Sequence, residues 1–167
     1  MTRMQRKKVL IVMGSGSDLP IMQETAKLLT SFEVPFDMRI ASAHRSPELV
    51  EEIIAEAEKA GVAAIIAGAG AAAHLAGAIA ARTVLPVIGV PLDSSPLKGV
   101  DALYSTVQMP PGVPVATMAV GAAGAKNAAI FAAQILALSD GRIEKLLKRY
   151  RRGLADEIKR KSRLPNK

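Results

Sequence analysis

The stretch "KKVLIVMGSGSD" (7–18) decides the expected fold, because an apolar strand runs directly into a glycine-rich turn and a helix start. Residues 7–13 form a continuous apolar run rich in β-formers, the pattern of a strand that is buried on both faces. Asp18 can cap the helix that follows, and Pro20 suits the first turn of that helix. The pattern favours a parallel sheet with helices packed on both sides.

The same order of strand and helix repeats along the chain. Further strands are predicted at 36–41, 62–68, 85–90 and 113–118, with helices at about 47–60, 74–82, 96–107 and 122–138. Five such units with short connections predict an α/β fold of three layers, in which a five-stranded parallel sheet lies between helices. We expect a single domain over 1–167, with its core at about 8–138 and a basic helix and tail at about 140–167.

The composition restricts the chemistry that this chain can perform. Half of the residues are apolar but only 3% are aromatic, and the apolar residues are mostly Ala, Val, Ile and Leu. Such small side chains let helices and strands approach closely but leave little bulk, so we expect self-association to bury additional surface. The absence of cysteine excludes disulfides and thiolate nucleophiles, and with two histidines and no HExxH motif a catalytic metal is not expected.

The positive charge lies at the two ends of the chain. The net charge is +7, but residues 142–167 carry 11 basic and 3 acidic residues, and residues 1–8 carry 4 basic ones. Residues 9–141 carry 7 basic and 12 acidic residues, a balance of −5, so the body of the protein is mildly acidic. A basic terminal helix, predicted from about 140 to 152 or beyond, is typical of a solvated or subunit-covering face, and we expect no nucleic-acid partner.

Two segments bear on the cellular location. The start "MTRMQRKKVL" (1–10) has no apolar region after its basic residues, so it does not resemble a secretory signal and a cytoplasmic protein is expected. The alanine-rich run 63–81 contains three glycines and a histidine, which favours a buried strand plus loop over a membrane span.

Three loops of unusual composition follow predicted strands. They are "MGSGSD" (13–18), "SAHRSP" (42–47) and "GAGAAAHLAG" (68–77). In an open parallel sheet, ligands bind beyond the carboxyl ends of the strands, where the strand order reverses. The three loops are therefore the candidates for a ligand site.

The first loop combines a glycine-rich turn, two hydroxyls and a helix N-terminus, where backbone N–H groups favour an anion. It is neither a Walker A loop nor a complete GxGxxG motif, and an ordinary capped turn is an equal alternative. The carboxylate of Asp18 could cap the helix or accept hydrogen bonds from ribose hydroxyls.

The second loop holds the side chains best suited to catalysis. Histidine titrates nearest to neutral pH of all side chains, so His44 can act as both base and acid within one cycle. Arg45 presents a fork of donors that suits phosphate or carboxylate, and Pro47 restrains the loop at the next helix. A lone histidine is more often structural than catalytic, so both interpretations of His44 stay open on these residues alone.

The third loop has almost no side-chain functionality before His74. Its glycines and alanines form a wall against which a flat ligand could lie, with backbone N–H groups as donors to an oxyanion or carboxylate. For His74 itself we favour a structural role, as a helix-start residue bonded to the backbone.

Five motifs in register resemble the PurE family of purine biosynthesis. They are "MGSGSD", "SAHRSP", "AGAGAAAHLAG", "PVIGVP" and "GVDALYSTVQMPPGVPVATMAVG". The resemblance runs without a gap from about residue 8 to residue 138, in family order. It is closest to the class I mutases, because the class II carboxylases usually carry lysine where Arg45 stands and lack the segment "AAAHL" (71–75).

The resemblance implies a flavodoxin-like domain that assembles as a homo-octamer and uses neither a metal nor an organic cofactor. It implies an isomerase that converts N5-carboxyaminoimidazole ribonucleotide to 4-carboxy-5-aminoimidazole ribonucleotide. In the family's reaction, the substrate loses CO₂ in a closed pocket, and a ring carbon of the same molecule then captures it.

The resemblance also implies roles for individual residues. His44 would be the proton shuttle, and Ser15 and Asp18 would bind the substrate, with Asp18 on the ribose. The phosphate would be held by Ser17, Ser42 and Arg45. The backbone at Ala69 and Gly70 would hold the migrating carboxylate.

One departure from the family falls close to this site. Ala76 stands where the family usually has proline, and we expect the change to loosen the loop over the carboxylate.

Two other functions stay open from the sequence. A flavin-binding electron carrier of the same fold would use the first loop for its phosphate, although the five aromatic residues lie outside all three loops. A nucleic-acid-binding module would use the basic C-terminal segment.

Overall fold

The computed structural model describes residues 7–162, and the expectations for residues 1–6 and 163–167 lie outside the described residues. Within that range, five strands run parallel and pair in the order β2-β1-β3-β4-β5. The strands are β1 (Lys8–Met13), β2 (Phe36–Ile40), β3 (Val62–Gly70), β4 (Val87–Leu92) and β5 (Ala116–Thr117). The helices are α1 (Leu19–Ser31), α2 (Pro47–Lys59), α3 (Leu75–Ala80), α4 (Val100–Val107), α5 (Ala122–Ala137) and α6 (Gly141–Lys161). The predicted parallel α/β architecture is confirmed.

Several element boundaries differ from the prediction. β4 spans Val87–Leu92 instead of 85–90, and α3 spans Leu75–Ala80 instead of about 74–82. β3 continues to Gly70, two residues into the third loop, because its end pairs with Leu92 of β4. α4 begins at Val100 rather than near residue 96, since Gly99 adopts a left-handed φ of 84° that no helix residue has. β5, predicted over 113–118, is only two residues long, because only Ala116 and Thr117 of that segment pair with β4.

Both faces of the central strand β1 are buried, as its apolar run predicts. Val9 and Ile11 point toward the layer that contains α1 and α5, whereas Leu10 and Val12 point toward α2 and α3. Successive side chains of a strand point to opposite faces, so a strand without polar alternation requires a helix layer on each side. Burying each such side chain contributes roughly 1.5–3 kcal/mol.

The buried face of α5 is made almost entirely of small residues. It consists of Gly124, Ala125, Ala128, Ala129, Ala132, Ala133 and Leu136. A Cβ atom added at Gly124 would lie 1.6 Å from the carbonyl oxygen of Ala119, so glycine is required where the chain turns into this helix. The small side chains of α5 therefore let this helix pack closely against its neighbours, as expected from the composition.

The basic C-terminal helix forms as expected, and it continues to Lys161, beyond the predicted minimum end at residue 152. Its first turns pack through Ile143 and Leu147, and Tyr150 meets Phe32 edge to face with ring centroids 5.4 Å apart. Residues 151–162 are exposed to solvent. No helix among residues 7–162 combines the length and apolarity that a membrane crossing requires.

The strand order places the ligand site. The chain moves from β1 to β2 on one side and then crosses to β3 on the other side of β1. The connections after β1 and β3 consequently diverge, which opens a crevice at the carboxyl edge of the sheet.

Candidate active site

A cavity of about 290 Å³ lies in this crevice. It is lined by the loops that follow β1, β2 and β3, together with Ser94 from the connection after β4. All eight residues predicted to transfer protons or to bind substrate line it, namely Ser15, Ser17, Asp18, Ser42, His44, Arg45, Ala69 and Gly70. Three loops that are distant in sequence therefore contribute to one site.

A single turn of 3₁₀ helix (Gly16–Asp18) shapes the first loop. The Ser15 hydroxyl accepts hydrogen bonds from the Ser17 backbone N–H at 3.3 Å and from the Ser17 hydroxyl at 3.0 Å. Asp18 occupies the N-cap position of α1, but its carboxylate makes no capping hydrogen bond. The expectation that the Asp18 side chain caps this helix is wrong, and the carboxylate lines the cavity instead.

Asp18 is buried, and this burial controls its ionisation. Desolvation raises the pKa of the Asp18 carboxyl above its ordinary value of 3.8. The Ser15 backbone, the Ser17 hydroxyl and the Arg45 guanidinium favour the ionised form and oppose that rise in pKa only in part. A polar ligand that donates hydrogen bonds to the carboxylate would compensate the remaining cost.

Replacing Asp18 by asparagine is expected to stabilise the free protein at neutral pH more than at acid pH. The pKa of Asp18 is higher in the folded protein than in the unfolded chain, so the native state keeps this proton to a higher pH. The contribution of Asp18 to the stability of the wild type therefore falls as pH rises through the window just above 3.8. Asparagine has no such titration. Unfolding temperatures of the two proteins, measured from about pH 3 to about pH 7, should diverge as pH rises, with the variant higher. A difference that does not change with pH would contradict this burial penalty.

Hydrogen bonds within the second loop fix its backbone. The Ser46 hydroxyl accepts from the Ser42 backbone N–H at 3.0 Å and donates to the Ser42 carbonyl at 3.3 Å. The Ser42 hydroxyl in turn accepts from the Arg45 backbone N–H at 3.2 Å. Pro47 begins α2, as predicted. A loop braced in this way presents His44 and Arg45 from a defined backbone.

Arg45 joins the second loop to the first. Its Nη2 donates to the Gly14 carbonyl at 3.0 Å, and its Nε lies 3.5 Å from the Ser42 hydroxyl oxygen. The side chain is exposed at the cavity, where its remaining N–H groups are available to an anion.

The end of β3 forms an apolar wall of the cavity. Ala69, Gly70 and Ala71 line it with backbone and methyl groups only. A Cβ at position 70 would lie 1.9 Å from the hydroxyl oxygen of Ser94, so glycine leaves room for that hydroxyl. Ser94 was not predicted from the sequence, although a hydroxyl two residues after the end of β4 lies at the same edge of the sheet as the three loops.

The two histidines of the chain meet beside the cavity. Nε2 of His44 lies 2.8 Å from Nδ1 of His74, and the ring centroids are 5.0 Å apart. His74 stands at the N-cap position of α3, but its ring makes no capping hydrogen bond. The expectation that the His74 side chain bonds to the backbone is therefore wrong. β2 and β3 flank β1, so the loops that follow them converge and bring the two rings together.

Ala76 belongs to the third loop as the sequence defined it, but in the structure it lies in helix α3. It is the second residue of α3 and is buried, and it is not among the lining residues. The first backbone N–H groups of a helix have no partner within the helix, so alanine and proline both fit there. Ala76 thus lies in the first turn of α3, and the expectation that alanine loosens the loop over the carboxylate stays a prediction.

The described part of the site shows no feature that would hold a metal ion or a flavin ring. Among residues 7–162, no group of three or more His, Cys, Asp or Glu side chains could hold a metal ion. The residues that line the cavity include no phenylalanine or tyrosine on which an isoalloxazine ring could stack.

Comparison with known proteins agrees with the resemblance drawn from the motifs. A family model described as AIR carboxylase matches residues 8–157. The N5-carboxyaminoimidazole ribonucleotide mutase of Pyrococcus abyssi is 52% identical over 151 residues, covering 90% of this chain and 86% of the relative. The protein of that name from Escherichia coli K12 is 49% identical, covering 90% of this chain and 89% of the relative.

The same relationship appears in three dimensions. The crystal structure of Treponema denticola PurE matches with a TM-score of 0.84 and 32% sequence identity, covering 92% of this chain and 94% of that chain. The family model spans most of the sequence and includes all three loops of the cavity. The chain therefore belongs to the AIR carboxylase family.

Proposed function

We propose that this protein is an N5-carboxyaminoimidazole ribonucleotide mutase, an isomerase of purine biosynthesis. Relatives that carry this name share 52% and 49% of their residues with the chain over most of its length. The observation that carries the proposal is the composition of one cavity. It combines an imidazole, a guanidinium, hydroxyls and a buried carboxyl with an apolar wall of alanine and glycine.

The isomerisation requires one proton carrier. In the first half, the bond between the exocyclic nitrogen and the carboxyl carbon breaks and CO₂ leaves. The nitrogen keeps the electron pair and takes a proton from His44. In the second half, the ring carbon attacks CO₂, and the proton on that carbon returns to His44. The imidazole ends in the protonation state in which it began, so no further acid or base is consumed.

The polar side of the cavity suits the ribonucleotide. Arg45 offers charged donors to the phosphate, and the hydroxyls of Ser17 and Ser42 complete its contacts. Asp18 accepts hydrogen bonds from the ribose hydroxyls, with Ser15 beside it. These bonds favour the ionised carboxyl and so offset the cost of its burial.

The apolar wall suits a small uncharged intermediate. CO₂ carries no charge for a side chain to hold, so its retention depends on enclosure and orientation. The backbone at Ala69 and Gly70 holds the migrating carboxylate before and after transfer. Ala69, Gly70 and Ala71 line this side of the cavity and offer water no side-chain donor or acceptor.

Self-association belongs to this proposal. The resemblance implies eight subunits, and the single chain leaves large apolar side chains in solvent. Val84 is 99% exposed and Leu138 is 90% exposed. Apolar surface of this kind favours contact with a second copy of the chain.

The deciding experiment supplies the purified protein with two alternative substrates. One assay offers N5-carboxyaminoimidazole ribonucleotide, and the other offers aminoimidazole ribonucleotide with bicarbonate. We expect efficient formation of the 4-carboxy product in the first assay and only background rates in the second. Faster turnover in the second assay would identify a carboxylase instead, and no turnover in either would refute the proposed function.

A further inference from the structure

One side chain of the cavity comes from outside the three predicted loops. Ser94 follows β4, and every other residue that lines the cavity belongs to the first, second or third loop. Leu92, at the end of β4, pairs in register with Gly70, at the end of β3. Ser94 therefore stands beside Gly70, on the wall where the migrating carboxylate is proposed to bind.

The residue at position 70 has to be glycine for reasons of space. A Cβ atom there would lie 1.9 Å from Oγ of Ser94 and 3.2 Å from its Cβ. Gly70 is not among the glycines of positive φ, so its backbone conformation does not require glycine. The missing side chain of Gly70 thus makes room for the Ser94 hydroxyl, which lies directly against the backbone of the wall.

The Ser94 hydroxyl is also unengaged, in contrast to the other hydroxyls that line the cavity. Ser15 and Ser17 bond to each other, and the Ser42 hydroxyl accepts from the Arg45 backbone N–H. Within residues 7–162, no side chain or backbone group forms a hydrogen bond with the Ser94 hydroxyl. Its donor and acceptor capacity is therefore available to a ligand.

The connection that carries Ser94 has a fixed backbone. The neighbouring Ser95 hydroxyl donates to the Asp101 carboxylate at 2.9 Å and accepts from the Leu97 backbone N–H at 3.1 Å. The Ser95 carbonyl accepts from the Lys98 backbone N–H at 3.0 Å. The two adjacent serines thus have different tasks, because Ser95 holds the connection while Ser94 presents its hydroxyl to the cavity.

We propose that Ser94 is a further substrate-contacting residue, whose hydroxyl donates a hydrogen bond to the migrating carboxylate across the space that Gly70 leaves open. This inference rests on the proposed function, since the carboxylate is that of the proposed substrate and product. Ser94 holds the carboxylate first on the exocyclic nitrogen and then on the ring carbon. It forms no covalent bond, and its own proton stays on the serine oxygen throughout.

A neutral donor suits this wall better than a cation would. Loss of CO₂ moves negative charge from the carboxylate oxygens to the exocyclic nitrogen. A cation beside those oxygens would stabilise the substrate more than the transition state and would slow this step. The charged side chains that line the cavity, Asp18 and Arg45, come from the first two loops. Ser94 therefore orients the carboxylate without adding charge to the wall.

Two ligands that differ only in the carboxyl group isolate this contact. They are the 4-carboxy product and aminoimidazole ribonucleotide. Ser94 is exposed on a connection, so Ser94→Ala removes the donor without disturbing the core. By calorimetric titration, we expect the variant to bind the carboxylated ligand about tenfold more weakly than the wild type, equivalent to about 1.4 kcal/mol. Its affinity for aminoimidazole ribonucleotide should stay within about twofold of the wild-type value.

Ser31→Ala is the matched control. Ser31 is the last residue of α1, at the end of the helix remote from the cavity, and its hydroxyl donates to the Leu28 carbonyl at 2.7 Å. Both ligands should bind this variant as they bind the wild type. Thermal unfolding of the two alanine variants shows that each is folded before the titrations are compared.

Two outcomes would overturn the inference. One is an unchanged affinity of Ser94→Ala for the carboxylated ligand, and the other is an equal loss for both ligands, which would assign Ser94 to the ribose or the phosphate. The titrations need no turnover. A wild type that binds the carboxylated ligand but fails in the mutase assay would refute the proposed function, while the comparison of ligands would still decide the contact of Ser94.

Discussion

Replacing His44 by asparagine is expected to lower mutase turnover by about 10²- to 10⁴-fold, the usual contribution of a positioned acid or base. Asparagine is polar and not larger than histidine, but it cannot take up and release a proton. Binding of the carboxylated product is expected to change little, because the proposed phosphate and ribose contacts belong to other residues. Steady-state kinetics in both directions, combined with calorimetric titration of the product, measure the two effects separately.

The same substitution at the neighbouring ring is the matched control. His74→Asn makes an identical chemical change 2.8 Å away and is expected to retain most of the turnover. Thermal unfolding of both variants shows whether each is folded. Near-normal turnover of His44→Asn would remove His44 from the mechanism. Loss of binding together with turnover would make His44 a binding residue instead.

Replacing Gly124 by alanine is expected to destabilise the protein by about 3 kcal/mol, the upper end of the usual cost of overpacking. The new Cβ would stand 1.6 Å from the carbonyl oxygen of Ala119 and 2.7 Å from its carbonyl carbon. These are backbone atoms, so they cannot rotate away as the end of a flexible side chain does. At ~2–4 °C per kcal/mol for a chain of this size, the unfolding temperature should fall by ~6–12 °C.

Gly153→Ala is the control for this stability measurement. Gly153 lies inside α6 with nothing within 4 Å of the position that its Cβ would take. Alanine has a higher helix propensity than glycine, so this variant should gain up to about 1 kcal/mol. Equal unfolding temperatures for the two alanine variants would contradict the close contact at Gly124.

Much of the fold follows from local patterns in the sequence. β1, β2 and α5 lie within one residue of their predicted bounds, because apolar runs and helical periodicity depend on neighbouring residues only. The start of α4 was misplaced because the chain takes left-handed backbone at Lys98 and Gly99 first. Lysine seldom adopts that conformation, so the sequence around residue 98 did not indicate it.

The candidate site was predicted only in part from the sequence. The residues assigned from the three loops all line one cavity, because parallel strands bring their carboxyl ends to the same edge of a sheet. His74 was misjudged, since a histidine at a helix start offers no local sign of a partner 30 residues earlier. The side-chain role of Asp18 was also open, because an N-cap position and a cavity wall coincide at this residue.

By itself, the sequence determined the succession of strands and helices, the three loops and the kinds of side chain that each loop carries. These properties depend on residues that are close together along the chain. Only the tertiary structure decided that His44 contacts His74, that burial raises the pKa of Asp18, and that Ser94 enters the cavity beside Gly70. The physical reason is the strand order. With β2 and β3 on opposite sides of β1, loops that are far apart in sequence converge at the end of one strand. A pattern of neighbouring residues cannot predict such a contact.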